Sequence, residues 1–192
     1  GATASKLVAT SLSPTNPTMG SNNATLNALV QDSYGNQVNV STNTTLQLGL
    51  TIGGVDKTDK LVRTTSGGVL LGNPVSVTIN AGSSSFLIDY LRFTESTRNA
   101  PGYTYNNNAI VTTTAISGMS LSSSSTGSFT ITEGAIYQPT SSGNWTAVGW
   151  EVSTDGGNSF GASSAPTQTS QGEYDIVKIP SGITTTLNTN IE

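Results

Sequence analysis

Two short loops carry residue types that bind calcium, Asp56-Lys57-Thr58-Asp59 and Asp155-Gly156-Gly157-Asn158. Ca²⁺ takes about six to eight oxygen ligands, and carboxylates, amides and loop carbonyls can all supply them. Neither loop has the repeated acidic spacing of an EF-hand or of a Gly-Asp nonapeptide repeat. Asx turns use the same residues without metal, so a tight turn is the preferred reading for both, with Asp155 and Asn158 kept as metal candidates. A catalytic carboxylate pair would need two acids facing across a cleft, about 5–9 Å apart for glycoside hydrolysis. The chain has eleven Asp and Glu, but Asp56, Asp59, Glu95, Asp155 and Glu173 fall in predicted turns and loops, where solubility accounts for them. There is no His and no Cys, which excludes imidazole bases, thiolate nucleophiles, disulfides and nearly all zinc or copper chemistry. A serine nucleophile would then need a lysine base, and no Ser-x-x-Lys pattern occurs. The expectation is a protein that is not an enzyme and holds no cofactor, Ca²⁺ being the one ion left open.

The remaining chemistry-bearing group is aromatic. Trp145 and Trp150, with Tyr137, Phe160 and Tyr174, would form a platform on which sugar rings stack, or would simply be the core of a small β-unit, since each ring buries a large apolar area. Trp150 is assigned to the core, and Trp145 is the candidate ligand-binding residue. Asn23, Asn39, Asn43 and Asn144 each open an N-x-Ser/Thr triplet, a pattern that an Asn- and Thr-rich chain produces by chance.

What must position these residues is a series of strands. Lys6 to Leu12 is the first, closed by Ser13-Pro14-Thr15-Asn16-Pro17, where two prolines stop the ladder. Ala24 to Val30 puts Leu26, Ala28 and Val30 on one face, and Asp32-Ser33-Tyr34-Gly35-Asn36 is a turn. Thr44 to Ile52 alternates most clearly, with Leu46, Leu48, Leu50 and Ile52 on one side. Val75, Val77 and Ile79 repeat the pattern, followed by Phe86, Ile88 and Tyr90, then Ala109 to Ile116, then Ser128 to Thr132 with Phe129 and Ile131 inward. No segment sustains a helical period. The expected fold is all-β, an antiparallel β-sandwich over residues 1–132 followed by a smaller β-unit over 133–192.

The second part differs in character. Residues 1–132 carry a net charge of +1 and residues 133–192 one of −5, and both tryptophans lie in the latter. Trp145 to Val152 and Tyr174 to Ile179 are predicted strands. Ile183, Leu187 and Ile191 line one face of a last strand expected to lack a partner within the chain, and so to offer an assembly edge. The first residue, Gly1, reads as a mature N-terminus or the boundary of a piece of a larger protein.

Two sets of motifs carry a resemblance. Lys6-Leu7-Val8 to Pro17, Ala28-Leu29-Val30-Gln31-Asp32-Ser33-Tyr34-Gly35-Asn36, and Ala81-Gly82-Ser83-Ser84-Ser85 resemble the immunoglobulin-like repeats of large secreted Bacteroidetes proteins, and the second of these is also similar to a turn of invasin-type domains. Ser142-Gly143-Asn144-Trp145, Trp150 to Phe160, Ala165-Pro166-Thr167 and Ile179-Pro180-Ser181-Gly182-Ile183 are similar to Trp-containing segments of the same surface proteins, many of them exported by the type IX secretion route. The resemblance implies an immunoglobulin-like sandwich and an adhesive or architectural role at the bacterial cell surface, and it brings no catalytic motif.

The expected function is therefore an extracellular structural or adhesive module, with self-assembly into a filament by strand addition in view. Its partners would be other copies, neighbouring β-modules or surface glycans. The alternative is a carbohydrate-binding module of a secreted polysaccharide-degrading enzyme. No clustered cationic stripe suits nucleic acid, and no apolar run approaches the length of a membrane-spanning helix.

Overall fold

The computed structural model describes residues 2–98, 106–153, 159–166 and 176–186. The fold is all-β. Strands β1 (Lys6–Ser13), β2 (Ala24–Gln31), β3 (Thr44–Ile52), β4 (Val55–Asp56), β5 (Leu61–Thr64), β6 (Leu70–Gly72), β7 (Ser76–Ile79), β8 (Ser85–Phe93), β9 (Ala109–Ser117) and β10 (Ser124–Ser125) make two antiparallel sheets. One has the order β1-β2-β8-β5-β6; the other runs β10-β9-β3-β4, with β7 also pairing β3. Leu26, Ile88, Leu91, Phe93 and Leu61 of the first sheet meet Leu48, Leu50, Ala109 and Val111 of the second in one apolar cluster, which makes the pair a sandwich. Phe93 and Phe129 close it edge to face, their centroids 5.6 Å apart.

Period two explains β2 and β3. Ala24, Leu26, Ala28 and Val30 are buried, as are Leu46, Leu48 and Leu50, while the intervening residues stay partly or fully exposed. On β8 the expected alternation slips. Leu26 lies opposite Ile88 but Ala24 opposite Leu91, so β8 carries one extra residue there. That bulge gives Tyr90 a φ of 55° and turns it outward, and Leu91 and Phe93 take the inward positions that simple alternation assigns to Tyr90.

Several inward strand residues are polar, among them Thr44, Thr64 and Thr113. Thr113 on β9 is fully buried, and its hydroxyl has no hydrogen-bond partner. A buried hydroxyl without a partner forgoes its hydration, so the nearly isosteric Thr113→Val should stabilise the sandwich by about 1 kcal/mol. Urea unfolding would measure this, and a lower midpoint for the variant would refute it.

Beyond the sandwich, β11 (Ile136–Pro139), β12 (Gly143–Asn144), β13 (Trp150–Ser153), β14 (Gly161–Ser163), β15 (Ile176–Val177) and β16 (Thr185–Thr186) form a four-stranded sheet, β14-β13-β11-β15, and a two-stranded one, β12-β16. Ile136, Pro139, Trp150, Ser153 and Pro166 are its buried residues among those described. The predicted strand from Trp145 to Val152 is corrected: Trp145 to Ala147 form a turn, and β13 begins only at Trp150.

The chain passes between the units through a held segment. Thr132 donates its N–H to the Pro17 carbonyl and accepts from Met19 N–H, at 3.1 and 2.7 Å. On the other side Thr97 N–H donates to Ile131 O, and Ile131 N–H donates to Thr97 Oγ1. Glu133, almost wholly buried, then pairs with Arg98 Nε at 2.9 Å and accepts from Ser96 Oγ at 3.2 Å.

Candidate functional site

The first calcium candidate resolves into local contacts. Asp56 accepts the Thr58 N–H at 3.0 Å, which closes an Asx turn; this bond and one from the Thr58 hydroxyl hold the Asp56 carboxyl below its ordinary range. Asp59 faces Lys60 at 2.9 Å, which raises the lysine above its usual value. Glu95 pairs with Lys57 at 2.7 Å. On the neighbouring strands Arg63 pairs with Asp89. Of the acids predicted in turns, Asp59 and Glu95 thus each sit beside a lysine, and Asp56 is held by its own turn. No group of three or more Asp, Glu, His or Cys is placed to hold a metal ion among the described residues. Asp155 and Asn158, the other metal candidates, and Glu173 lie outside the described residues.

Among the described residues, the sandwich surface has a depression of about 180 Å³ between Ser11–Thr15 and Thr126–Phe129 and another of about 300 Å³ beside Arg63, Leu71 and Val75. Neither is lined by a carboxylate.

Asp32, in the turn after β2, shows what such acids do here. It is buried, and one carboxylate oxygen accepts the N–H of Tyr34 and of Asn36, both at 2.9 Å, while the other accepts Asn36 Nδ2 at 3.1 Å. The Asn36 side chain above all, then the backbone N–H groups, hold its carboxyl below the ordinary aspartate value of 3.8. Because its pKa is lower in the folded than in the unfolded chain, its stabilisation is complete above the ordinary aspartate range and is lost as pH falls through the folded value. The Asp32→Asn variant should therefore melt below wild type at neutral pH, with the gap closing under acid. A gap in melting temperature that stays constant from neutral pH to pH about 2 would contradict this.

The two tryptophans come together. Their rings lie 4.5 Å apart, tilted by 54°. Trp150 Nε1 donates to the Trp145 carbonyl at 2.9 Å, and Trp145 Nε1 donates to the Pro166 carbonyl at 3.1 Å. Trp145 is half-buried. Its contact with the Trp150 ring and an indole N–H already bonded within the protein place it as a lid on the Trp150 core, with part of its surface left to solvent.

The assembly edge is corrected in part. Ile183 is half-buried, and Leu187 and Ile191 lie outside the described residues. The last strand expected to be unpartnered has a partner: β16 runs parallel to β12, with Thr185 opposite Gly143 and Thr186 opposite Asn144. Sequence reading missed this because parallel pairing joins segments some forty residues apart and leaves no local signature. Gly143, whose φ is 151°, donates its N–H to the Thr184 carbonyl, and Ser142 Oγ accepts the Thr184 N–H. Compared with known proteins, the chain matches no family model and no curated protein.

Proposed function

We propose that the chain is a non-enzymatic, extracellular structural or adhesive module of a bacterial surface protein: an immunoglobulin-like sandwich continued by a smaller β-unit, associating with further copies or neighbouring β-modules by strand addition. The observation that carries this reading is the junction. The segment leaving the sandwich is hydrogen-bonded on both sides, to Pro17 and Met19 and to Thr97, and Glu133 is locked to Arg98 just beyond. A connection held in this way keeps two β-units in series, which suits a spacer or a subunit of a stack. The strand order β1-β2-β8-β5 against β10-β9-β3 supports the immunoglobulin-like assignment, because it is the order of the constant-type domain. The low share of charged residues, 9%, suits an exposed surface of hydroxyl and amide groups.

Electron microscopy and light scattering of the purified chain over a wide concentration range test the proposal. Filaments, or rod-like particles that associate as concentration rises, are expected. A strictly monomeric chain that binds plant or algal glycans, and loses that binding in Trp145→Ala, would replace this reading with the carbohydrate-binding one.

A further inference from the structure

The contact between β12 and β16 is made almost entirely by the main chain. Gly143 N–H donates to Thr184 O at 3.0 Å, and Trp145 N–H donates to Thr186 O at 2.8 Å. Thr184 N–H donates to Ser142 Oγ at 3.0 Å. Thr184 and Thr186 are exposed, and Thr185 is half-buried with its hydroxyl unpartnered. No large apolar side chain of residues 184–186 anchors the segment. Contacts of this kind are indifferent to which molecule supplies the strand, since main-chain hydrogen bonds recognise any extended segment of the right register.

The segment hangs on a small turn. Ile183 N–H donates to Pro180 O at 3.1 Å, and Gly182 takes a φ of 82°. Opening that turn to an extended path carries residues 184–186 away from their own β12 and leaves the N–H groups of Gly143 and Trp145 without acceptors. The same segment of a second copy reproduces every lost bond, which is the low-cost route to association by exchange of an identical element.

We infer that β12 is the acceptor edge for a second copy: its Gly143–Asn144 ladder takes residues 184–186 either from its own chain, giving a closed monomer, or from a neighbour, giving a linked pair that extends into a polymer. The occupant is read from the fold, because this segment is what fills the edge within one chain. The inference rests on the self-assembly reading above and names the surface that would carry it.

The chain has no cysteine, so an engineered pair reports without ambiguity. Asn144 and Thr186 are opposed in the parallel ladder, where strands lie about 4.8 Å apart, within reach of a disulfide. The double variant Asn144→Cys/Thr186→Cys, oxidised at high dilution, should lose all association, and reduction should restore it to the wild-type level. In the second experiment Asn144→Cys and Thr186→Cys copies are mixed at a concentration where wild type associates, and a disulfide between the two copies should form. Association of the oxidised double variant at the wild-type level, or a wild-type polymer with no cross-link in the mixture, overturns the acceptor assignment and leaves self-assembly standing. Absence of association by wild type at every concentration overturns both.

Discussion

Gly118→Ala is expected to destabilise the sandwich by about 3–5 kcal/mol, because two penalties fall on one position. Gly118 has a φ of 86°, in the left-handed region where a Cβ is disfavoured. Its Cβ would also press on the Asn43 carbonyl oxygen, and would lie 2.7 Å from Thr44 Cα and 2.8 Å from Thr44 Oγ1. The first two are backbone atoms at the start of β3 and cannot swing aside as a side-chain tip can. The third is the oxygen that accepts Met119 N–H at 3.1 Å, so relieving the clash would break that bond as well. Gly35 is the control. It has a φ of 91° and open space where its Cβ would stand, so Gly35→Ala should cost only the conformational share, about 1–2 kcal/mol. Urea midpoints of the two variants separate the contributions. Equal losses would show that the approach to Asn43 and Thr44 is not a tight one.

Gly118 also shows where sequence reading stops. Nothing around it marks a requirement for close approach, because the residues it meets are about seventy-five positions earlier. The same division runs through the fold. Thr44–Ile52 was legible because one face is buried and the other partly open, so composition alternates with the pleat. Leu61–Thr64 was not, because Leu61, Val62 and Thr64 are all buried and only Arg63 is partly open, which breaks period two. The slip at Tyr90 depends on a bulge whose cause is pairing with β2, again out of local sight. In the second unit every described strand has two to four residues, too few to show any period. Of the candidate site, Trp150 was correctly read as core. The bonding of Trp145 to Pro166 and the partner of the last strand both depend on tertiary contacts over twenty residues or more.

Trp150→Ala should unfold the second unit while leaving the sandwich folded. Trp150 is 3% exposed and is the largest side chain among the described buried residues beyond the junction; the others are Ile136, Pro139, Ser153 and Pro166. Truncating a buried tryptophan costs about 3–5 kcal/mol. A unit of this size buries a small fraction of its surface and has little stability beyond that amount. The variant also loses the bond from Trp150 Nε1 that fixes the Trp145 carbonyl, and it exposes the face of the Trp145 ring that Trp150 covers. The sandwich core draws on none of these residues, so its urea transition should be kept, whereas Trp145 fluorescence should shift to the red even without denaturant. Retained blue emission from Trp145 would mean that Trp150 does not organise the unit. Loss of the sandwich transition as well would mean that the held junction, through Arg98 and Glu133, makes the two units fold as one.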